Sequence, residues 1–106
     1  MSNRPWAWIA CGGGLLLGSA QAADPSPERQ AALTHLLRQD CGSCHGMTLH
    51  GGLGPALLPE ALAGKPDAFL VETLLNGRPG TAMPPWRSLL TPDEAVWLVR
   101  QLRKTP

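Results

Sequence analysis

Five residues near the middle of the chain, Cys41-Gly42-Ser43-Cys44-His45, constrain its fold more than any other feature. The C-x-x-C-H spacing is that of c-type haem attachment. Two thiols three residues apart can each form a thioether with one of two neighbouring vinyl groups on a haem edge. The adjacent imidazole then reaches under the ring and binds iron from one face. Other uses of the same residues make different demands. A Cys41–Cys44 disulfide suits an exported chain. A zinc site needs four ligands, for which His45 and His50 are the available imidazoles. A thioredoxin-like redox pair needs a βαβ setting, and the sequence has no strand pattern of any length.

The front of the chain reads as an export signal that is removed. Arg4 supplies a positive start, Pro5 to Ser19 carries no charge, and Ala20-Gln21-Ala22 is a small-residue cleavage site, placing the cut before Ala23. The apolar run is short for a membrane span and is broken by Gly12-Gly13-Gly14. Cys11 sits too early, inside that run, to be a lipidation site. Residues 23–106 then form one small domain with eight basic and eight acidic residues. That balance leaves no basic stripe for nucleic acid and no reason for stable membrane insertion. The whole chain holds 12 Gly and 11 Pro. A domain this small and loop-rich buries too little surface by itself and needs a cofactor, metal or disulfide at its centre.

Helical signals fall in three places. Ser26-Pro27-Glu28 is a helix start with Ser26 as N-cap. Leu33, Leu36 and Leu37, with Ala32 widening the face, carry that helix to about Asp40. Residues 46–58 form a glycine-rich loop, and Pro59 to Ala63 a single turn. Lys65-Pro66-Asp67 opens a second helix with Phe69, Leu70, Thr73 and Leu74 on one face, closed by Asn76-Gly77. Arg78 to Leu90 is a second loop. Thr91-Pro92-Asp93-Glu94 is a capping box opening a last helix, with Ala95, Leu98, Val99 and Leu102 as its apolar face.

An iron-based electron carrier needs a second axial ligand. The candidates are His35, Met47, His50 and Met83. His35 reads as an exposed helix residue. Met47 lies two residues past His45 and so on the same side of the ring. His50 reaches the other face only if the chain wraps the ring edge. Met83 sits in Gly80-Thr81-Ala82-Met83-Pro84-Pro85-Trp86, a loop stiffened by two prolines that can hold a thioether in place. The axial histidine commonly donates its other ring N–H to a carbonyl, and Pro55 supplies an acceptor nearby. Arg78 is placed to pair a haem propionate. Trp86 is expected near Met83. Trp97 is expected to pack between the first and last helices, with its indole N–H within reach of a propionate.

The runs Cys41-Gly42-Ser43-Cys44-His45-Gly46, Gly54-Pro55-Ala56-Leu57, Gly80-Thr81-Ala82-Met83-Pro84-Pro85-Trp86 and Ala95-Val96-Trp97-Leu98 resemble the class I monohaem cytochrome c family. The loop wording, Leu49-His50-Gly51-Gly52-Leu53-Gly54-Pro55 and Gly77-Arg78-Pro79-Gly80-Thr81, is similar to the small periplasmic cytochromes of the NirC or c55X type. The resemblance implies an all-α class I cytochrome c fold, with three to four helices around one covalently bound haem c. Cys41 and Cys44 would carry the thioethers, and His45 and Met83 would be the axial ligands. Trp97 matches the aromatic at the crossing of the terminal helices, and the Pro55 carbonyl matches the acceptor for the axial histidine. It also implies an electron-transfer protein of the periplasm that is not an enzyme. The expected acceptor is the haem-cd nitrite reductase of denitrification. Alternatives are assistance in d-type haem maturation, or electron donation to another periplasmic reductase or terminal oxidase. A ligand sensor with a labile Met83 is a third class. The charge balance predicts weak electrostatic steering and docking through an apolar rim near Met47, Ala82 and Pro84.

If haem supplies the missing core, the double variant Cys41→Ser, Cys44→Ser is expected to be largely unfolded. Far-UV circular dichroism retaining native helicity and a cooperative melt would contradict this.

Overall fold

A computed structural model describes residues 23–104. The expected export signal, with Cys11, lies outside these residues. Among the described residues there are helices and loops and no strand, and no helix is long and apolar enough to cross a membrane.

The first helix, α1 (Pro27–Leu36), starts as its sequence dictates. Ser26 Oγ accepts from the Arg29 N–H at 3.2 Å, and Pro27 occupies the first turn. The helix does not stop before Cys41. It widens into a π-turn over Leu37–Cys41 and resumes as α2 (Gly42–His45), so the whole C-x-x-C-H segment is helical. The Gly42 N–H donates to the Leu37 carbonyl five residues back. In a regular helix each i, i+4 step drifts about 40° around the axis. The wider turn counters that drift and keeps Cys41 near the face of Leu33 and Leu37, as such bulges often do at functional sites. Leu33 and Leu37 are buried and Leu36 packs beside them. Ala32, expected to widen this face, is exposed instead: it lies one residue before Leu33, about 100° around the helix.

The short α3 (Pro59–Leu62) is the single turn expected there, and Leu62 is buried. Helix α4 (Asp67–Asn76) has Pro66 as N-cap and ends at Gly77, whose N–H bonds back to the Thr73 carbonyl. Helix α5 (Pro92–Lys104) buries Ala95, Trp97, Leu98, Val99 and Leu102. It packs against α4, and more lightly against α3 and α1. Arg103 ties the α3–α4 connection to α5: it donates to Asp67 Oδ1 at 2.5 Å and to the carbonyls of Lys65 at 2.5 Å and Leu62 at 3.2 Å.

The capping box of α5 is formed in both directions. The Thr91 N–H donates to Glu94 Oε1 at 2.9 Å, and the Glu94 N–H to Thr91 Oγ1 at 3.2 Å. The same carboxylate takes the guanidinium of Arg29 from α1, which also donates to the Leu89 carbonyl at 3.0 Å. One acidic group thus caps the last helix and fastens it to the first. The Arg29 hydrogen bond, and then the Thr91 N–H, hold the Glu94 carboxyl below the usual carboxylate range. Because that folded value is depressed, the pair stabilises above the unfolded pKa of roughly 4.3 and its contribution is lost as pH falls through the folded pKa. Glu94→Ala should cost about 1 kcal/mol at neutral pH through the lost cap. Thermal melts below about pH 4 should show the gap to the native protein narrowing; a gap independent of pH would refute the ion-pair part.

Candidate functional site

The site is built around His45 at the end of α2. Its ring Nδ1 lies 2.7 Å from the Pro55 carbonyl oxygen. A carbonyl only accepts, so Nδ1 carries the proton and Nε2 is left with a free lone pair suited to a metal. The loop after His45 is folded so that this contact is made. The Gly51 N–H donates to the His45 carbonyl at 2.9 Å, and the Gly54 N–H to the Cys44 carbonyl at 2.7 Å. Gly54 lies flat against the imidazole, and a Cβ there would stand 2.8 Å from ring atoms. Leu49, in a loop read as featureless glycine-rich chain, is buried in the core with φ 63°, and its carbonyl accepts from the Leu57 N–H at 2.9 Å. No sequence signal marked Leu49 as the anchor, since Leu53 stands among the same glycines and is 95% exposed.

Beside His45 lies a cleft open to solvent and lined mainly by apolar side chains, as cofactor sites commonly are. Cys41, His45, Pro55, Arg78, Met83 and Trp86 all line it. So does the expected face of α4: Phe69, Leu70, Thr73 and Leu74. The charged residues on its wall are Lys65 and Arg78, with no carboxylate. Among the described residues, neither cation is ion-paired to a carboxylate. An apolar slot with two cations and no acid suits a flat apolar macrocycle bearing two propionates, so the residues present fit haem c. Lys65 was read only as part of a helix start; its place on the wall comes from Arg103 holding its carbonyl.

The four candidates for second ligand separate cleanly. Met83 lines the cavity, and His35, Met47 and His50 do not. His35 is exposed on α1. Met47 is 63% exposed. His50 turns its Nδ1 to Thr48, 3.0 Å from its carbonyl and 2.9 Å from Oγ1. Trp97 packs between the first and last helices as expected, but away from the cavity. It is buried in the helix core with Leu33, Leu37 and Leu98 and does not line the cavity, because the face of α5 that meets the cavity is that of Val99 and Leu102. Cys41 is half-buried, and desolvation, with help from the Asp40 carboxylate, pushes its thiol up to about 11, while Cys44 is exposed. Among the described residues no three His, Cys, Asp or Glu side chains gather as a metal cluster, so nothing completes a zinc site.

Met83 is presented by the end of α4. Gly77 has φ 68° and ψ −168°, and a Cβ there would fall 2.6 Å from the Met83 carbonyl oxygen. That backbone region is essentially reserved for glycine. Gly77→Ala is therefore expected to destabilise the protein by ~1–3 kcal/mol, and to weaken any ligand bond made by Met83. Thermal melting with the Met–iron absorption band checks both; a native melt and band would refute it.

Residues 28–100 match the family of cytochrome c oxidase, cbb3-type, subunit III. The chain is 65% identical over 78 residues to cytochrome c55X of Pseudomonas aeruginosa, covering 74% of this chain and 66% of that protein, just under two thirds of its length. It is 59% identical over 88 residues to cytochrome c55X of Stutzerimonas stutzeri, covering 83% and 78%. A solved structure of the c-type cytochrome NirC superposes with a TM-score of 0.74 at 64% identity, covering 76% of this chain and 94% of that one. A segment of the dihydro-heme d1 dehydrogenase of Pseudomonas aeruginosa is 40% identical over 93 residues, 88% of this chain and 18% of the enzyme. A structure of dihydro-heme d1 dehydrogenase NirN in complex with DHE superposes at TM-score 0.64 and 41% identity, covering 69% and 16%. These likenesses make the chain a member of the NirC-type cytochrome c55X family, electron-transfer monohaem cytochromes of the class I cytochrome c fold.

Proposed function

We propose that this chain is exported to the periplasm, carries one haem c attached through Cys41 and Cys44, and holds its iron between His45 and Met83. When bound, the haem supplies a one-electron redox centre. The observation that carries the reading is that both ligand side chains, the tautomer-fixed His45 and the loop-held Met83, line one apolar cavity. With both axial positions taken by protein groups, a substrate has no place on the metal, and a His/Met pair favours the reduced state. Lys65 and Arg78 balance the propionates.

The electron acceptor we assign is the haem-cd nitrite reductase of denitrification, in line with the NirC-type relatives. Met47, Ala82 and Pro84 are exposed and are the apolar residues assigned to docking, while the near-zero charge of residues 23–106 leaves little long-range steering. Rapid mixing of the reduced protein with that reductase should oxidise the haem at a rate that changes little with moderate salt. No transfer would sink the assignment, and a fall of orders of magnitude with salt would sink the apolar docking surface.

A second reading has its own support in the segment of the dihydro-heme d1 dehydrogenase that this chain matches. Dehydrogenation of a dihydro-tetrapyrrole releases two electrons, which a one-electron carrier takes one at a time. In this reading the chain accepts electrons during maturation of the d-type haem. Deleting its gene would then leave nitrite reductase short of that haem while other cytochromes still supply electrons.

A further inference from the structure

The loop that carries Met83 is strapped to the end of α4 at two levels. In the backbone, the Arg78 N–H donates to the Met83 carbonyl at 3.1 Å, the Trp86 N–H to the Leu74 carbonyl at 2.9 Å, and the Arg87 N–H to the Leu75 carbonyl at 3.2 Å. In the side chains, Nε and Nη2 of Arg87 donate to Asn76 Oδ1 at 3.1 and 2.9 Å, and Asn76 Nδ2 donates to Glu72 Oε1 at 2.5 Å. Glu72, Asn76 and Arg87 do not line the cavity; they form a chain of contacts on the outside of the loop.

We propose that Glu72–Asn76–Arg87 is a positioning relay that holds Met83 in place, an inference that rests on Met83 being the second axial ligand. Each link has a physical reason. A carboxylate only accepts, so Glu72 fixes which way the Asn76 amide faces and leaves its oxygen for Arg87. The guanidinium fork reaches that oxygen with two N–H groups, which fixes orientation as well as distance. Between Arg87 and Met83 lie Pro84, Pro85 and Trp86. The two prolines have locked φ and no N–H to donate. They make a stiff rod, so a hold on its far end is carried to Met83. Met83 itself is held by two contacts, the Arg78 N–H donating to its carbonyl at 3.1 Å and its own N–H reaching Thr81 Oγ1 at 3.3 Å; the relay adds a hold from the far end of the rod.

The test is carbon monoxide binding to the reduced holoprotein, which requires the Met83 bond to open, together with the Met–iron absorption band. Met83→Ala is the reference for an open site. Arg100→Gln is the control, since Arg100 pairs with Asp24 at 3.2 Å, away from the loop. Asn76→Ala and Arg87→Ala should bind carbon monoxide about fivefold faster than the native protein, the size of one lost hydrogen-bond contribution. Both should weaken the band with little change in melting, since all three side chains are exposed. Glu72→Ala, which removes the acceptor for the Asn76 amide, should fall between the native rate and those of the two variants. Native-like rates in both Asn76→Ala and Arg87→Ala, with Met83→Ala binding freely, would overturn the relay alone. If Met83→Ala itself binds no faster than native, the ligand assignment falls and the relay with it. Should Asn76→Ala fail to fold, Glu72→Ala decides.

Discussion

A backbone carbonyl can accept a hydrogen bond but never give one, and the rest of the site follows from this at Pro55. The 2.7 Å contact with His45 Nδ1 puts the proton on that nitrogen and the lone pair on Nε2. It works only because the chain between the two residues is wound tightly. The carbonyls of Cys44 and His45 are both taken by loop N–H groups, and Gly54 leaves no side chain between the loop and the ring. Proline at 55 leaves the carbonyl as that residue's sole backbone polar group. The Gly-Gly-x-Gly-Pro wording of the loop is thus the covalent form of one oriented imidazole.

The second half of the site obeys a similar logic at the end of α4. Helix termini leave carbonyls without partners, and here those of Leu74 and Leu75 are used by Trp86 and Arg87. The loop that carries Met83 satisfies the helix end, and the helix end places the loop. Gly77 lets the Met83 peptide lie directly on the turn. The two loops rich in glycine and proline are therefore the two walls that bring His45 and Met83 to one cavity, with α4 and α5 supplying the apolar floor.

Charge is arranged by the same economy. Eight positive and eight negative residues give residues 23–106 no overall field, yet the cavity wall carries Lys65 and Arg78 and no acid. Acids are spent elsewhere: Glu94 fastens α1 to α5, Asp67 anchors Arg103, and Glu72 orients Asn76. The local excess of positive charge suits a dianionic macrocycle, and the neutral exterior suits docking by apolar contact.

The sequence by itself marked the C-x-x-C-H segment and the helix starts. Cys41, Cys44 and His45 are adjacent in the chain, and a cap such as Ser26 or the Thr91–Glu94 box is a local device whose partners lie within four residues. Met83 and Pro55 were also legible, because proline and glycine constrain the backbone wherever they stand. The rest was settled by contacts between distant segments. The π-turn carrying the first helix through Cys41, the burial of Leu49, Lys65 on the cavity wall, the absence of Trp97 from that wall and Ala32 turned out of the core depend on which face of each helix meets which neighbour. Periodicity gives an apolar face a width but no partner. Only the tertiary structure, by closing α5 over α1, α3 and α4, decided which residues of those faces became core and which became the wall of the cavity.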